Sequence, residues 1–139
     1  MKIAVVYWSS TGNTEAMAQA VVEGAKHAGA EAELFTAAEF GGAKMDEFDA
    51  VAFGCPAMGA EELEDGEFAP MFETCESKLS GKKIALFGSY GWGDGEWMRT
   101  WEEDCASAGI RLAADSVTCC EAPDDEALSA CRSLGEALA

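Results

Sequence analysis

The stretch that decides the fold is VVYWSSTGNTE, residues 5–15, in which an apolar run gives way to hydroxyl-bearing residues, one glycine and an asparagine. No lysine or arginine occurs in it. A loop that leaves a strand and begins a helix can bind an anion, because the helix N-terminus offers unpaired N–H groups and a partial positive charge. The stretch therefore predicts a strand, an anion-binding loop and a helix, in that order.

The loop itself, residues 9–14, is rich in neutral hydrogen-bond donors. Gly12 permits a tight turn, and the hydroxyls of Ser9, Thr11 and Thr14 add donors to those of the backbone. Hydrogen bonds to a charged acceptor are about twice as strong as neutral ones, so such a loop can hold a phosphate. The lysine of a Walker A loop and the G-x-G-x-x-G of a dinucleotide site are both missing. A mononucleotide with a terminal monophosphate is the predicted ligand, and an ordinary capped turn is the alternative.

Working outward from this loop, apolar strands alternate with apolar stripes at helical spacing. Strands are predicted at 3–7, 32–35, 49–54, 83–88 and 110–118, and helices carry stripes at 17–25, 68–79, 97–105 and 127–138. Gly29 should stop the first helix, and Asp124 or Asp125 should cap the last one. Parallel neighbours need a right-handed crossover. The pattern therefore predicts one α/β domain, residues 1–139, with a doubly wound five-stranded parallel sheet and helices on both faces.

Two further loops leave strand ends and carry unusual residues. CPAMGAEE, after the third strand, contains Met58, Gly59 and Glu61, and SYGWGDG, after the fourth, contains Tyr90 and Trp92 among three glycines. Ligands of such sheets bind outside the carboxyl ends of the strands. An indole could cover one face of a flat ligand and a thioether the other. Each aromatic alone is more typical of a core, but the three loops together predict a planar ligand that bears a phosphate.

With these residues in place, the sequence resembles the flavodoxins, and within them the short-chain type of anaerobes such as clostridia. Three motifs in the right order carry the resemblance, which covers essentially the whole chain: YWSSTGNT at 7–14, AMGAE at 57–61 and ALFGSYGWGD at 85–94. The resemblance implies the flavodoxin sheet order 2-1-3-4-5, with FMN at the point where the winding reverses.

The resemblance also implies a non-covalent FMN and a role for each loop. The phosphate would lie on the amides of 10–14 and the loop hydroxyls, and the isoalloxazine between Met58 and Trp92. Glu61 would accept a hydrogen bond from flavin N3–H, and the amides of 91–93 would face the pyrimidine edge. The complete implied set of FMN-contacting residues is Ser9, Ser10, Thr11, Gly12, Asn13, Thr14, Ala57, Met58, Gly59, Ala60, Glu61, Ser89, Tyr90, Gly91, Trp92, Gly93, Asp94, Cys120 and Glu121.

Near flavin N5, the Gly59–Ala60 peptide is the implied candidate to rotate on one-electron reduction, since glycine reaches the required backbone states at little cost. Relatives often carry glycine in place of Ser10, and a polar residue or glycine in place of Ala60. Residues 119–122 also depart from the usual pattern. Ala60 therefore leaves the stability of the semiquinone open.

The charge of the chain restricts its partners. Asp and Glu number 26 against 9 Lys and Arg, a formal net charge of -17. This argues against nucleic acid and anionic membranes, which require a basic face. It suits a basic redox partner, a reductase or oxidase, drawn by long-range attraction. Acidic residues at 61–67 would border the flavin edge, and a merely solvated loop is the alternative.

The compartment is predicted from the N-terminal sequence and the cysteines. MKIAVVYWSS has too short an apolar run for a signal core or a membrane span. Six cysteines occur without a CxxC pair and are expected to be reduced, buried thiols. We therefore expect a cytoplasmic protein, and a monomer.

The function that the resemblance implies is low-potential one-electron transfer, with FMN cycling between semiquinone and hydroquinone. The alternative is a small FMN-dependent NAD(P)H:quinone-type reductase of the same fold. That enzyme would need a proton donor beside the three loops, and His27, the single histidine, lies at the far end of the first helix. A response-regulator receiver would need an acidic pair after the first strand, where Tyr7, Trp8 and Ser9 stand.

Overall fold

The computed structural model describes residues 1–58, 62–91 and 93–139. In these ranges five parallel strands form one sheet of order β2-β1-β3-β4-β5. The strands are β1 (Lys2–Tyr7), β2 (Glu31–Thr36), β3 (Ala50–Gly54), β4 (Lys83–Tyr90) and β5 (Val117–Cys120). The helices are α1 (Asn13–His27), α2 (Gly42–Met45), α3 (Phe68–Cys75), α4 (Glu96–Ser107) and α5 (Asp125–Leu138). The predicted fold class and strand order are confirmed.

Side chains of β1 alternate between two hydrophobic layers, one on each face of the sheet. Ile3 and Val5 pack with apolar residues of α1 and α5. Ala4 and Val6 pack on the opposite face with residues of α3 and α4. All four are fully buried. This two-sided burial explains why β1 is a continuous apolar run rather than an alternating one.

The fifth strand was predicted wrongly at 110–118. Leu112 makes only an isolated bridge to Ile84, and the continuous pairing begins at Val117, opposite Phe87. Gly109 turns the chain at φ 79° and the apolar run ends in polar residues before Val117, so the strand that pairs with β4 is Val117–Cys120, which extends two residues beyond the prediction. The prediction relied on the apolar content of the segment, whereas the observed strand is determined by which residues lie beside β4.

Other boundaries moved by smaller amounts. β4 continues to Tyr90, so Ser89 and Tyr90 belong to a strand rather than to the loop in which they were placed. The helix predicted over 68–79 ends as α3 at Cys75 and continues as a 3₁₀ turn, Glu76–Lys78. A 3₁₀ turn, Ala37–Glu39, and α2 were not predicted.

The helix ends follow the predicted capping rules. Asp124 is the N-cap of α5, where its carboxylate accepts a 2.8 Å hydrogen bond from the N–H of Ala127. α1 ends at His27, and Gly29 follows at φ 94°, in the left-handed region that favours glycine. The choice between Asp124 and Asp125 is thereby settled for Asp124.

α1 and α5 lie in direct backbone contact on one face of the sheet. A Cβ on Gly24 of α1 would overlap the carbonyl of Arg132 in α5, and a Cβ on Gly135 would overlap the carbonyl of Val21 in α1. Both glycines are buried. The two helices can approach this closely because glycine stands at each point of contact.

The six cysteines all lie in the described ranges, and each is a free thiol. Burial raises the pKa of Cys55, Cys105 and Cys131 to about 12, and that of Cys75 and Cys119 to about 11. Cys120 is exposed, contrary to the expectation of buried thiols throughout. Adjacent strand residues point to opposite faces, which separates the environments of Cys119 and Cys120. In the same ranges, no helix is both long and apolar enough to cross a bilayer.

Candidate functional site

The loops at the carboxyl edge of the sheet are joined by backbone hydrogen bonds beyond the last paired strand residues. β1 and β3 are neighbours at the point where the winding reverses, which is the ligand position in open α/β sheets. Each bond runs from one loop or strand end to the next. They are Trp8 N–H to Gly54 O (3.0 Å), Cys55 N–H to Phe87 O (3.1 Å), Ala57 N–H to Ser89 O (3.1 Å) and Glu121 N–H to Tyr90 O (2.7 Å).

Gly12 turns the chain from the phosphate loop, residues 9–14, into α1. It is the N-cap of the helix at φ 91° and ψ -5°, a left-handed conformation, and its N–H donates to Ser9 Oγ at 3.0 Å. The Asn13 N–H makes a longer bond, 3.4 Å, to Thr11 Oγ1. The loop hydroxyls therefore accept hydrogen bonds from two of the amides that were predicted to bind phosphate. Each of these hydroxyls keeps its own proton for donation.

The remaining amides of the loop are unpaired within the described part of the chain. The N–H groups of Ser10, Thr11 and Thr14 donate no hydrogen bond to any acceptor in that part of the chain. Ser10 and Thr11 are exposed, whereas Thr14 stands in the first turn of α1. Unpaired N–H donors at a helix N-terminus, next to hydroxyls, form a donor set that suits a phosphate without a cation.

Thr14 and Ser89 form a buried hydroxyl pair beneath this loop. Their oxygens lie 3.2 Å apart, and the residues are 1 % and 5 % exposed. One of the two hydroxyl protons fills this bond, which leaves one proton for a further acceptor. The pair therefore fixes the start of α1 to the end of β4, and both residues had been predicted to contact FMN.

The second loop begins with buried Ala57 and is closed by a short antiparallel bridge. Met58 N–H donates to Glu62 O, and Glu62 N–H donates to Met58 O, both at 2.9 Å. The predicted flavin contacts Gly59, Ala60 and Glu61 lie outside the described residues. Met58 itself is half-buried at the base of the bridge.

Downstream of this bridge, Glu64 is held by three backbone donors. Its carboxylate accepts from the N–H groups of Gly66, Glu67 and Phe68 at 2.7, 2.7 and 2.8 Å. Burial acts to raise the pKa of Glu64, but the three hydrogen bonds outweigh it and lower the pKa below the ordinary value. Glu64 is therefore a helix-capping carboxylate rather than a free surface charge.

The first and second loops are also joined by a side-chain bond. The indole N–H of Trp8 donates to Glu67 Oε1 at 3.0 Å. Nearby, the Tyr7 hydroxyl donates to Glu15 Oε2 at 3.0 Å. The pKa of Tyr7 is raised, mainly by burial and secondly by this hydrogen bond to the Glu15 carboxylate. A cavity of about 400 Å³ lies between these groups and Thr36.

The third loop follows β4 and rests on a buried indole. The ring of Tyr90 lies 5.5 Å from that of Trp97, whose N–H donates to Cys55 O at 3.1 Å. Gly91 and Gly93 are exposed, and Gly93 has φ 78°. Trp92, the predicted stacking residue, lies outside the described residues.

Two predicted contacts have protein partners of their own. Asp94 pairs with Arg99, with 2.9 Å between Oδ1 and Nη2, so a cation stands at the third loop although the phosphate loop has none. Glu121 adopts φ 60° just after β5 and donates its N–H to Tyr90 O. Cys120 precedes it and is exposed. A cavity of about 420 Å³ lies beside Tyr90 and this end of β5.

These features define a class of protein: a doubly wound α/β domain whose first loop at the switch point presents neutral donors that suit a phosphate. Known proteins of this class match the chain. A family model described as Flavodoxin matches residues 5–135. The flavodoxin of Megasphaera elsdenii is 44 % identical over 140 residues, which cover 99 % of this chain and 98 % of that protein. The flavodoxin of Clostridium beijerinckii is 41 % identical over 135 residues, covering 97 % of each.

The structural comparison agrees. The solution structure of two-electron reduced Megasphaera elsdenii flavodoxin matches with a TM-score of 0.89 at 43 % identity, and covers 98 % of this chain and 97 % of that one. The chain therefore belongs to the flavodoxin family, whose members bind FMN and transfer electrons. The resemblance stated from the sequence is confirmed, and FMN is the cofactor.

Some residues that shape the site were not singled out from the sequence. Glu64 and Glu67 were grouped with the acidic border of the flavin, yet both carboxylates are bonded within the protein. Of that group, Glu62, Asp65 and Glu67 are exposed. Glu64 lies four residues before Phe68, where α3 begins, and therefore outside the N-cap position at which a capping residue is sought in the sequence.

Proposed function

We propose that this chain is a low-potential one-electron carrier whose FMN cycles between semiquinone and hydroquinone. The observation that carries the proposal is the neutral donor set of the phosphate loop, in which the amides of Ser10, Thr11 and Thr14 have no acceptor among the described residues. FMN supplies the redox chemistry, while the protein supplies binding and electrostatics. The relative in Megasphaera elsdenii has been characterised in its two-electron reduced form, which supports access to the fully reduced state.

In this proposal the phosphate lies on the unpaired amides and on the free hydroxyl protons of the loop. In the Thr14–Ser89 pair, one hydroxyl donates to the other, and the second hydroxyl proton remains available to the ligand. Met58 and Trp92 would hold the isoalloxazine between them, and Glu61 would accept a hydrogen bond from flavin N3–H. The Gly59–Ala60 peptide would lie near flavin N5 and would supply a carbonyl acceptor there.

The low potential follows from charge. The second reduction adds negative charge at the flavin, and the chain carries a formal net charge of -17. One charge at 10 Å in water contributes only about 0.4 kcal/mol before screening, so several carboxylates must act together. The one cation described at the third loop, Arg99, is already paired with Asp94. We therefore expect the second potential to lie well below that of free FMN.

Members of the family act with redox partner proteins. For this chain we propose a basic partner, a reductase or oxidase, and a cytoplasmic, monomeric carrier. In the described part of the second loop, the carboxylates of Glu62 and Asp65 are exposed and have no hydrogen-bond partner among the described residues. Association with the partner should weaken as ionic strength rises.

The test is a stepwise reduction of FMN-loaded protein, followed by its visible spectrum and by the potentials of the two steps. A blue neutral intermediate and a second potential far below that of free FMN are expected. Protein that stays colourless with excess FMN would refute the cofactor site, and a second potential near that of free FMN would refute the low-potential role. Steady-state oxidation of NAD(P)H by the pure protein would instead favour the reductase.

A further inference from the structure

In the second loop, the Glu64 side chain accepts three backbone hydrogen bonds, three residues beyond Glu61, the last predicted flavin contact of this loop. Both carboxylate oxygens are used: Oε2 accepts from Gly66, and Oε1 accepts from Glu67 and Phe68. Hydrogen bonds of this charge-assisted kind are about twice as strong as neutral ones. The carboxylate therefore locks the chain from 64 to 68 onto the first turn of α3.

The main chain of Glu64 is fixed as well. Its N–H donates to Cys55 Sγ at 3.4 Å, and Cys55 is fully buried directly after β3. The carbonyl of Cys55 accepts from the buried Trp97 indole at 3.1 Å. Glu64 thus connects the end of the second loop to Cys55, the buried residue at which the loop begins.

This anchor lies close to the bridge between Met58 and Glu62. Only Leu63 separates Glu64 from Glu62, which is bonded to Met58 by two backbone hydrogen bonds of 2.9 Å. If the backbone of Glu64 moves, we therefore expect Glu62, two residues away, to move with it, and Met58 to follow through its hydrogen bonds to Glu62.

We propose that Glu64 is a positioning residue for the FMN site, which holds the second loop so that Met58 keeps one placement against the flavin. This inference rests on the proposed function. It assigns Glu64 to the geometry of the site rather than to the acidic docking border. A carboxylate is required because a glutamine has one acceptor oxygen, and its NH₂ group would face one of the three N–H donors.

The experiment compares Glu64→Gln with Asp65→Asn, in the FMN-loaded full-length chain. Both substitutions remove one negative charge, from adjacent positions, so Asp65→Asn serves as the control for the loss of charge. Asp65 is exposed, and its side chain has no hydrogen-bond partner in the described part of the chain. The readouts are the two one-electron potentials, measured with small mediators, and the dissociation constant of FMN.

Relative to Asp65→Asn, Glu64→Gln should move the first potential negative by about 59 mV, which corresponds to a tenfold change in the equilibrium of a one-electron step. It should also weaken FMN binding, while the second potential moves alike in both variants. Glu64→Asp, which keeps both oxygens on a shorter side chain, should recover part of the shift. Far-UV circular dichroism checks that each variant is folded.

Coincident potentials and FMN affinities in the two variants, with only thermal stability lowered in Glu64→Gln, would overturn the inference and leave Glu64 a helix cap. That result would leave the proposed function intact. Wild-type protein that fails to bind FMN would overturn the proposed function and this inference together.

Discussion

Gly12 offers a test of the phosphate loop in which the backbone effect can be isolated. The residue has φ 91°, and a Cβ placed on it would meet no atom within 4 Å. Substitution by alanine therefore adds no steric overlap, and its cost is that of holding an L-residue in the left-handed region, about 1–2 kcal/mol. We expect the variant loop, in which Ser10 and Thr11 are exposed, to relax and avoid this strain when FMN is absent. With FMN bound, the loop must return to the strained form.

The expected result for Gly12→Ala is a loss of FMN affinity. A cost of about 1–2 kcal/mol corresponds to a roughly 5- to 30-fold weaker dissociation constant. Fluorescence titration of apoprotein with FMN measures it directly, since free and bound flavin differ in emission.

Gly29 provides the matched control at the other end of α1. Its φ is 94°, and its added Cβ also meets nothing within 4 Å. Gly29→Ala should lower the free energy of unfolding by about 1–2 kcal/mol, through the same backbone strain, without changing FMN affinity. Unchanged FMN affinity in Gly12→Ala, or an equal loss in both variants, would refute the assignment of the phosphate to this loop conformation.

Three further outcomes are expected. Gly24→Ala should lower the free energy of unfolding by about 1–3 kcal/mol in urea, because its Cβ overlaps the Arg132 carbonyl and must separate two helices; an unchanged midpoint would contradict the close contact. Because the pKa of Glu64 is lowered in the folded protein, its stabilisation is complete above the ordinary glutamate pKa and is lost as pH falls through the lowered pKa. Glu64→Gln should therefore flatten the acid side of the stability profile, and equal slopes for both proteins would count against the three N–H bonds. In native protein a thiol reagent should label Cys120 first, and buried thiols such as Cys131 only on unfolding, since burial raises the pKa of Cys131 to about 12; a rapid phase that survives Cys120→Ser would disprove this.

The central strands of the sheet could be predicted because their burial on both faces leaves a clear pattern in the sequence. β1 and β3 are buried on both faces, so they read as unbroken apolar runs. The fifth strand failed because it lies at the edge, where Val117–Cys120 is only partly covered and its position depends on which part of β4 it meets. A pairing register of this kind is a tertiary property and has no local signal.

The phosphate loop was likewise predictable in kind but not in detail. A glycine after hydroxyl residues at a strand end indicates an anion site, and the structure places Gly12 in the left-handed turn that this requires. That Thr14 would pair with Ser89, 75 residues away along the chain, could not be read from the sequence. The pairing exists only because β4 lies two strands from β1 in the folded sheet.

The glycine contacts between α1 and α5 bear on how the molecule would respond to its cofactor. Because backbone meets backbone at Gly24 and Gly135, neither helix can tilt or slide without carrying the other along. Ligand-induced tightening at the start of α1 should accordingly reach α5, which lies against it. Amide deuteration of the two helices should slow together when FMN is added, as one cooperative unit.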